Sequence, residues 1–358
     1  MTHAGKLVAL KSFGKFVFED DLEGAPSLSR SLRQGGDFDL PVEPTTLFDL
    51  ASVTKAVATT TMAMILYQRG LLELDAPLFG TLPEFLTGND PRRRTVTFRM
   101  LLAHSSGLPA YEKLFQKARS RDELLTAAFS MPLTADPGTR AEYSDIGFII
   151  LGIALERIAG EPLDTFCRRE IFGPLGMSNT TFNPPRERAM IPPTADEREG
   201  DVSPAKLRST FRKRIIQGEV QDENAFVLGG VAGHAGLFST AEDVARFAHL
   251  MISGGSPILR PETIALFTRR ESTPSGTSRA LGWDTPSAPS QSGTHFGVRS
   301  YGHLGYTGTS LWIDPDRQLS ITLLTNRTWP DCSNQAIKQL RPKIHDAVME
   351  SIKTLLNR

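Results

Sequence analysis

The sequence predicts an α+β fold in which strands from both chain ends form one antiparallel sheet around a mostly helical middle. Near the start, alternating residues at Lys6–Leu10 and Gly14–Phe18 indicate two short strands. Near the end, strand patterns return at Leu281–Trp283, Tyr301–Ile313 and Leu319–Asn326. An amphipathic helix follows at 334–356. We therefore expect a sheet with helices packed on it, an inserted helical lobe, and an active cleft between the two lobes.

The helical lobe is predicted by capping and termination signals in the middle of the chain. Ser120 and Glu123 have the spacing of a capping box, which begins a helix. An apolar helix over 146–158 ends at Gly160, where glycine favours termination. We place this lobe at about residues 61–239 and the sheet-containing lobe at about 1–60 and 240–358, within a single domain of 1–358.

The composition is that of a neutral globular chain. Of 358 residues, 40% are hydrophobic, and 40 Lys and Arg balance 40 Asp and Glu. This balance argues against nucleic acid or an anionic membrane as a partner. No apolar run is long enough to span a bilayer, and residues 1–20 lack the cationic start and apolar core of a signal peptide. We expect a cytoplasmic location, with a periplasmic one open if a leader has been removed.

One stretch, 50–60, carries a Ser-x-x-Lys motif at the start of a long apolar helix. Residues three apart share a helix face, so the Ser52 hydroxyl and the Lys55 amine can meet. A serine becomes a nucleophile when a neighbour takes its proton, and a partly buried lysine with a lowered pKa can do this. The motif also occurs at Ser12–Lys15 and Ser203–Lys206, in predicted strand and loop. On the local pattern alone, an ordinary helix-capping serine is the alternative for Ser52.

Four further motifs follow this stretch. They are Leu101–Pro109, Tyr143–Asp145 (Tyr-Ser-Asp), Gly229–Thr240 and His303–Gly305 (His-Leu-Gly). Together with Ala51–Lys55, they resemble the motifs of the serine β-lactamase and penicillin-binding-protein superfamily, in its class C-like branch. That branch contains class C β-lactamases, D-alanyl-D-alanine carboxypeptidases and family VIII carboxylesterases. The resemblance extends over nearly the whole chain and implies a β-lactamase-like fold.

The resemblance also implies roles for individual residues. Ser52 attacks an acyl carbonyl, Lys55 takes or relays its proton, and Tyr143 shares the proton shuttle and later activates water. The backbone N–H groups of Ser52 and Tyr306 form the oxyanion hole. The positions implied to contact the substrate are Asp145, His303 and Gly305.

Two positions depart from the family pattern. Asp145 stands where the family has Asn; an ionised Asp only accepts hydrogen bonds, and beside Lys55 it favours the charged lysine. His303 stands where the family often has Lys, and histidine is mostly neutral at pH 7. Both changes weaken recognition of acylamino carboxylates, so we expect short-chain carboxylic esters to be preferred over β-lactams. Arg299 or Arg327 is a candidate for restoring a carboxylate anchor.

The remaining motif residues are three histidines, for which a structural role is an alternative to a functional one. We assign His104 to structure, as a buried histidine that bonds backbone near a tight turn. His234 lies in glycine-rich backbone and either lines the cleft or packs, and His303 is either a cleft residue or an ordinary strand histidine. The segments expected to shape the substrate pocket are 110–135 and 183–225.

The favoured hypothesis is a serine carboxylesterase that works through an acyl-enzyme on Ser52. A β-lactamase or D-alanyl-D-alanine carboxypeptidase is the alternative within the same class, and a non-catalytic binding module is a third. The seven histidines form no His-Glu-x-x-His motif, and neither a Gly-x-Ser-x-Gly elbow nor a Gly-rich phosphate loop occurs, so we expect no metal and no cofactor. The expected partner is a small ester or amide, while the natural substrate and the oligomeric state are open.

Overall fold

The computed structural model describes residues 1–16, 40–185, 190–198, 209–330 and 332–356. Its α-helices are α1 (Thr61–Gln68), α2 (Phe98–Leu102), α3 (Arg121–Phe129), α4 (Asp145–Ala159), α5 (Leu163–Cys167), α6 (Glu223–Val227), α7 (Ala241–Ile252), α8 (Pro261–Thr268) and α9 (Ile337–Leu356). π-Helical segments, Lys55–Thr60 and Arg168–Phe172, adjoin α1 and α5. Short 3-10 turns occur at Leu78–Gly80, Pro83–Phe85, Pro91–Thr95 and Leu114–Gln116. Within these described ranges, no helix combines the length and apolar character needed to cross a membrane.

The strands form three antiparallel sheets. They are β1 (Thr2–His3), β2 (Lys6–Leu7), β3 (Phe48–Asp49), β4 (Thr181–Phe182), β5 (Ala195–Asp196), β6 (Ile215–Ile216), β7 (Leu237–Ser239), β8 (Tyr301–Leu304), β9 (Ser310–Asp314) and β10 (Leu319–Leu323). The main sheet has the order β2-β1-β10-β9-β8, and Thr2 of β1 pairs with Ser320 of β10. Both chain ends therefore meet in one sheet, as the sequence predicts.

Helices cover both faces of the main sheet. Because side chains alternate along a strand, Ile313 of β9 packs into the largest hydrophobic cluster while Trp312 packs into a second one. Phe247 of α7 belongs to the first cluster, and Met349 of α9 belongs to the second. This arrangement confirms the predicted sheet with helices packed on it.

The segment Leu281–Trp283 is not a strand, and that prediction is wrong. Gly282 has φ +77°, a left-handed conformation that interrupts extended backbone, and its N–H donates to the Leu102 carbonyl at 2.9 Å. Bridging to β8 begins at Asp284, which pairs with Gly302. The apolar residues are buried by a turn against α2 rather than by pairing within a sheet.

The predicted strands at the start are shorter than expected. Lys6–Leu10 narrows to β2, where Lys6 pairs with His3 of β1. In Gly14–Phe18, the described residues 14–16 contain one bridge, from Lys15 to Pro41, and the rest of that segment lies outside the described residues.

The π-helical segment that precedes α1 is buried throughout and contacts α4. Between them runs glycine-rich backbone: a Cβ on Gly152 of α4 would lie 2.9 Å from the Gly233 Cα atom. The Thr59 hydroxyl donates to the Gly233 carbonyl at 2.7 Å. The glycines of the 229–236 segment thus allow close backbone approach at the centre of the molecule.

Candidate active site

Ser52 lies in a turn that joins β3 to the π-helical segment. The preceding residue, Ala51, has φ +46°, which is uncommon for a residue with a side chain. The Ala51 N–H donates to Asp49 Oδ1 at 2.8 Å, and the Gln221 N–H donates to Asp49 Oδ2 at 2.7 Å. Burial raises the pKa of the Asp49 carboxyl to about 6. Asp49 therefore holds the backbone turn that presents Ser52.

Lys55 is fully buried and uses all three of its N–H donors. Its Nζ donates to Ser52 Oγ at 2.8 Å, to Asp145 Oδ1 at 2.6 Å and to the His234 carbonyl at 2.9 Å. Burial lowers the pKa of Lys55, but the charges and hydrogen bonds of Asp145 and Tyr143 together outweigh burial, and the net pKa is raised. Lys55 is therefore an ammonium group at neutral pH, without a lone pair for the Ser52 proton.

Tyr143 lies beside this pair, immediately before α4. Ser144 caps α4 by accepting a hydrogen bond from the Gly147 N–H at 2.9 Å, which fixes the backbone next to Tyr143. The Lys55 Nζ lies 4.9 Å from the centre of the Tyr143 ring. Burial raises the pKa of the Tyr143 phenol, although the charge of Lys55 and a hydrogen bond with Ser52 act in the opposite direction. Tyr143 is therefore a neutral phenol at neutral pH, hydrogen-bonded to Ser52.

Asp145 is the first residue of α4, and its side chain lines the cleft beside Ser52. One carboxylate oxygen is occupied by Lys55, and no Asn amide could supply the negative charge that this ion pair needs. Asp145, one of the two residues that depart from the family pattern, thus favours the protonated form of Lys55.

His303 and Gly305 lie at the end of β8, facing the same cleft. His303 Nδ1–H donates to the Leu304 carbonyl at 2.8 Å, and burial lowers the pKa of His303 to about 3, so its ring is neutral. A Cβ on Gly305 would collide with the Thr309 hydroxyl and lie 2.6 Å from the Leu50 carbonyl. Glycine is required here because the β8 turn passes directly against the backbone that leads to Ser52.

The turn after β8 is tied to the Ser52 segment by two hydroxyl groups. Thr307 and Thr309 donate to backbone carbonyls of the 49–50 segment, at 2.8 and 3.0 Å. Among the described hydrogen bonds, the backbone N–H groups of Ser52 and Tyr306 have no acceptor. The two N–H groups belong to segments held side by side, which suits an oxyanion hole.

A cleft of about 920 Å³ opens above these residues. Its lining includes Ser52, Tyr143, Asp145 and His303, so the structure brings the sequence-predicted side chains to one cavity. The cleft is also lined from both segments expected to shape the pocket, for example by Tyr111 and by residues 209–211. Its volume accommodates a small-molecule substrate.

Two arginines that line the cleft have no carboxylate partner among the described residues. Arg327 lies over the Tyr306 ring, 4.1 Å from its centre, and its Nε donates to the Tyr306 carbonyl at 2.7 Å. Arg341 is only 4% exposed, and it donates to Gln291 Oε1 at 3.0 Å and to the Thr309 carbonyl at 3.3 Å. Its Nε is buried and has no hydrogen-bond partner within the described ranges. Burial and Arg327 lower the pKa of Arg341 to about 10. Both positive charges thus lie in the cleft lining, and Arg327 contacts Tyr306 directly.

The other candidate anchor, Arg299, does not serve this cleft. It is exposed, forms an ion pair with Asp316, and is absent from the cleft lining. Arg341 was not foreseen from the sequence, because it lies in an amphipathic helix where an arginine is ordinarily a solvated residue.

Comparison with known proteins shows the family of this chain. A model of the family described as Beta-lactamase matches residues 1–341. The chain belongs to the beta-lactamase family. It is 33% identical over 351 residues to the N-acetylmuramyl-L-alanine amidase of Bacillus subtilis (strain 168), covering 90% of this chain and 75% of that protein. It is also 33% identical over 313 residues to an Escherichia coli (strain K12) protein provisionally named D-alanyl-D-alanine carboxypeptidase, covering 80% of this chain and 71% of that protein.

Solved structures show the same fold. EstCE1, described as a hydrolase with promiscuous acyltransferase activity, superposes with a TM-score of 0.66, at 22% identity, over 87% of each chain. This confirms the predicted β-lactamase-like fold.

In this beta-lactamase family member, two histidines contact residues of the site. His104 has φ +55° and its Nδ1 accepts from the Ser144 N–H at 3.0 Å, the structural role expected of it. His234 lines the cleft, gives its carbonyl to Lys55, and bonds Asp222 Oδ1 through Nε2 at 2.9 Å. Sequence reasoning missed Asp222, because its pairing with His234 leaves no local pattern. No group of three or more His, Cys, Asp or Glu in the described ranges is placed to hold a metal ion.

Proposed function

We propose that this protein is a serine hydrolase that forms an acyl-enzyme on Ser52 and cleaves an amide bond in a small substrate carrying a carboxylate. The observation that carries the substrate class is the pair Arg327 and Arg341, two guanidinium groups that line the cleft and have no carboxylate partner among the described residues. Arginine binds carboxylates through two parallel hydrogen bonds. The amidase of Bacillus subtilis and the Escherichia coli relative, both 33% identical, carry the names of amide-cleaving enzymes, which supports this class.

The proposed mechanism assigns the proton transfers to Tyr143. The Ser52 oxygen forms a bond to the substrate carbonyl carbon, and the Ser52 proton passes to the Tyr143 oxygen as the phenolic proton passes to the leaving nitrogen. The C–N bond then breaks, leaving an ester on Ser52. Water attacks this ester by the reverse relay, which frees the acid and restores Ser52.

Lys55 acts in this proposal as a fixed positive charge. It is an ammonium group bonded to the Ser52 oxygen, so it stabilises negative charge on the reacting serine and on the phenol oxygen. The N–H groups of Ser52 and Tyr306 stabilise the oxyanion. The base role predicted for Lys55 would require it to lose a proton to Asp145 first.

A second candidate function is hydrolysis of simple carboxylic esters, the preference predicted from Asp145 and His303. The favouring observation is that His303 is neutral and Asp145 is occupied by Lys55, so neither adds a donor for a substrate amide. This preference stays a prediction, and the two candidates differ in their need for a substrate carboxylate.

A matched pair of substrates separates the two candidates. We expect N-acetylmuramyl-L-alanine to be hydrolysed with kcat/KM at least about tenfold above that of its C-terminal alaninamide, since the amide removes the carboxylate. The advantage should be lost in Arg341→Met and Arg327→Ala and kept in Arg299→Ala. Faster turnover of p-nitrophenyl butyrate than of either amide would favour the esterase instead, and turnover surviving in Ser52→Ala would contradict the proposed nucleophile.

A further inference from the structure

One region of the cleft lining is aromatic and acidic and is not used by the proposed reaction. Tyr111 and Phe211 line it and are 39% and 37% exposed, high values for large aromatic side chains. Phe211 rests on Phe115, with ring centres 4.9 Å apart. The buried Asn224 accepts from the Phe115 N–H and donates to the Glu112 carbonyl, both at 2.9 Å. These aromatic faces are therefore held open by packed structure behind them.

Among the described residues, two carboxylates around these rings have a basic partner and one does not. Asp222 bonds His234, and Glu197 forms a buried ion pair with Arg212. Glu223 lines the same region, interacts with the Ser209 side chain, and has no cation within ion-pair distance among the described residues. Burial and the neighbouring Asp222 charge raise the pKa of Glu223, which a bound cation would reverse.

His234 also belongs to this region. His234 is 1% exposed, and its Nε2–H donates to the carboxylate of Asp222 at 2.9 Å, which leaves Nδ1 as the second ring nitrogen. That Nδ1 is buried without a hydrogen bond among the described residues. Burial raises the pKa of the Tyr111 phenol, and the charges of Asp222, Glu223 and Asp145 raise it further.

We propose that this acidic region, defined as Tyr111, Phe211, Asp222, Glu223 and His234, binds a primary ammonium group of the substrate. A carboxylate supplies the charge and open aromatic faces supply cation–π contacts, while an ammonium group supplies only donors to a site that offers acceptors. The proposal rests on the proposed function, because it adds a second charged group to the same substrate. With Arg327 and Arg341 holding a carboxylate, the substrate class becomes a zwitterionic short peptide or peptide conjugate.

Reversible boronic acids test this region without requiring turnover, since boron accepts an electron pair from the Ser52 oxygen. We would compare ω-aminoalkylboronic acids of three to six methylenes with alkylboronic acids of the same length. Dissociation constants would be measured by calorimetry and by the shift in the thermal unfolding midpoint. At the best chain length, the amine should bind at least about tenfold tighter than its alkyl partner.

Two variants identify the origin of that preference. In Glu223→Gln the amine advantage should fall to less than about threefold, whereas Glu262→Gln, an exposed glutamate of α8 outside the cleft, should keep it. Tyr111→Leu, which keeps the carboxylate, should reduce it partly. Equal binding of both series at every length, or an amine advantage that survives Glu223→Gln, would overturn the ammonium site. The proposed function would still be supported in that case if binding depends on Ser52. Binding of neither series, or binding unchanged by Ser52→Ala, would overturn both.

Discussion

Lys55 and Arg341 are two buried cations beside one cleft, and the protein satisfies them differently. Lys55 has an internal counter-charge, Asp145, and an acceptor for every N–H. Among the described residues, Arg341 contacts only neutral acceptors, Gln291 and the Thr309 carbonyl, and one of its buried N–H groups has no partner. A buried cation with an internal counter-charge is suited to a fixed catalytic role. A buried cation without one is suited to bind a negative charge of the substrate.

The largest expected effect comes from removing the compensated cation. Lys55→Met deletes the positive charge bonded to Ser52, so acylation of Ser52 should slow by roughly three orders of magnitude. The measurement is the rate of labelling by an activated phosphonate, followed by intact-protein mass spectrometry. Lys113→Met serves as the control for loss of a cleft lysine. A labelling rate within about tenfold of wild type would show that Lys55 is not part of the machinery.

Removing the counter-charge of Lys55 should act on stability and on pH dependence together. Asp145→Asn leaves a buried ammonium without its partner, so the free energy of unfolding at pH 7 should fall by about 3 kcal/mol. Because Asp145 raises the pKa of Lys55, its loss lowers that pKa, and proton release by Lys55 should move to lower pH. Chemical denaturation and the pH profile of kcat/KM check these points. Unchanged stability and an unchanged profile would mean that the ion pair does not hold Lys55 charged.

Removal of the uncompensated cation, Arg341, should reduce activity more than stability. Arg341→Met removes a buried charge that has no counter-ion, so stability should stay within about 1 kcal/mol of wild type. Turnover of the carboxylate-bearing amide should drop by roughly ten- to a hundredfold, because a charged hydrogen-bond pair with the substrate is lost. Thermal unfolding and paired kinetics measure both quantities. Strong destabilisation with equal loss on both substrates would assign Arg341 to structure instead.

The smallest effect concerns Asp49, which holds the turn before Ser52. Its pKa is raised to about 6 from 3.8, so its protonated form stabilises the folded state below pH 3.8, and this contribution is lost as pH rises through about 6. Asp49→Asn should therefore remove a decline in unfolding free energy between about pH 4 and pH 6. The check is the difference between the two unfolding curves across that range. Parallel curves would mean that Asp49 titrates normally.

The sequence predicted best where chemistry depends on local spacing or on motif order. The contact of Ser52 with Lys55 follows from helix geometry, and the neutral His303 follows from residue type. The charged state of Lys55 was foreseen from Asp145, but only because the motif resemblance placed them together. Strands from both chain ends were also predicted, since their alternation is local.

The parts that were missed depend on contacts between distant segments. Arg341 reaches the cleft because α9 packs on the sheet, and one polar residue of a helix gives no sign of that. Asp222 bonds His234, and Asp49 accepts a hydrogen bond from the backbone N–H of the distant Gln221. Neither contact leaves a motif in the sequence. Leu281–Trp283 failed as a strand because a turn against α2, rather than sheet pairing, buries its apolar residues.

The most direct test of the central claim is to locate the acyl group during turnover. Wild-type protein would be mixed with p-nitrophenyl butyrate, quenched in acid within milliseconds to seconds, digested, and analysed by tandem mass spectrometry. The account predicts a butyryl adduct on the peptide containing Ser52, at the serine itself, and neither adduct nor turnover in Ser52→Ala. Continued turnover in that variant, or an adduct mapped to another residue of a catalytically active sample, would contradict it.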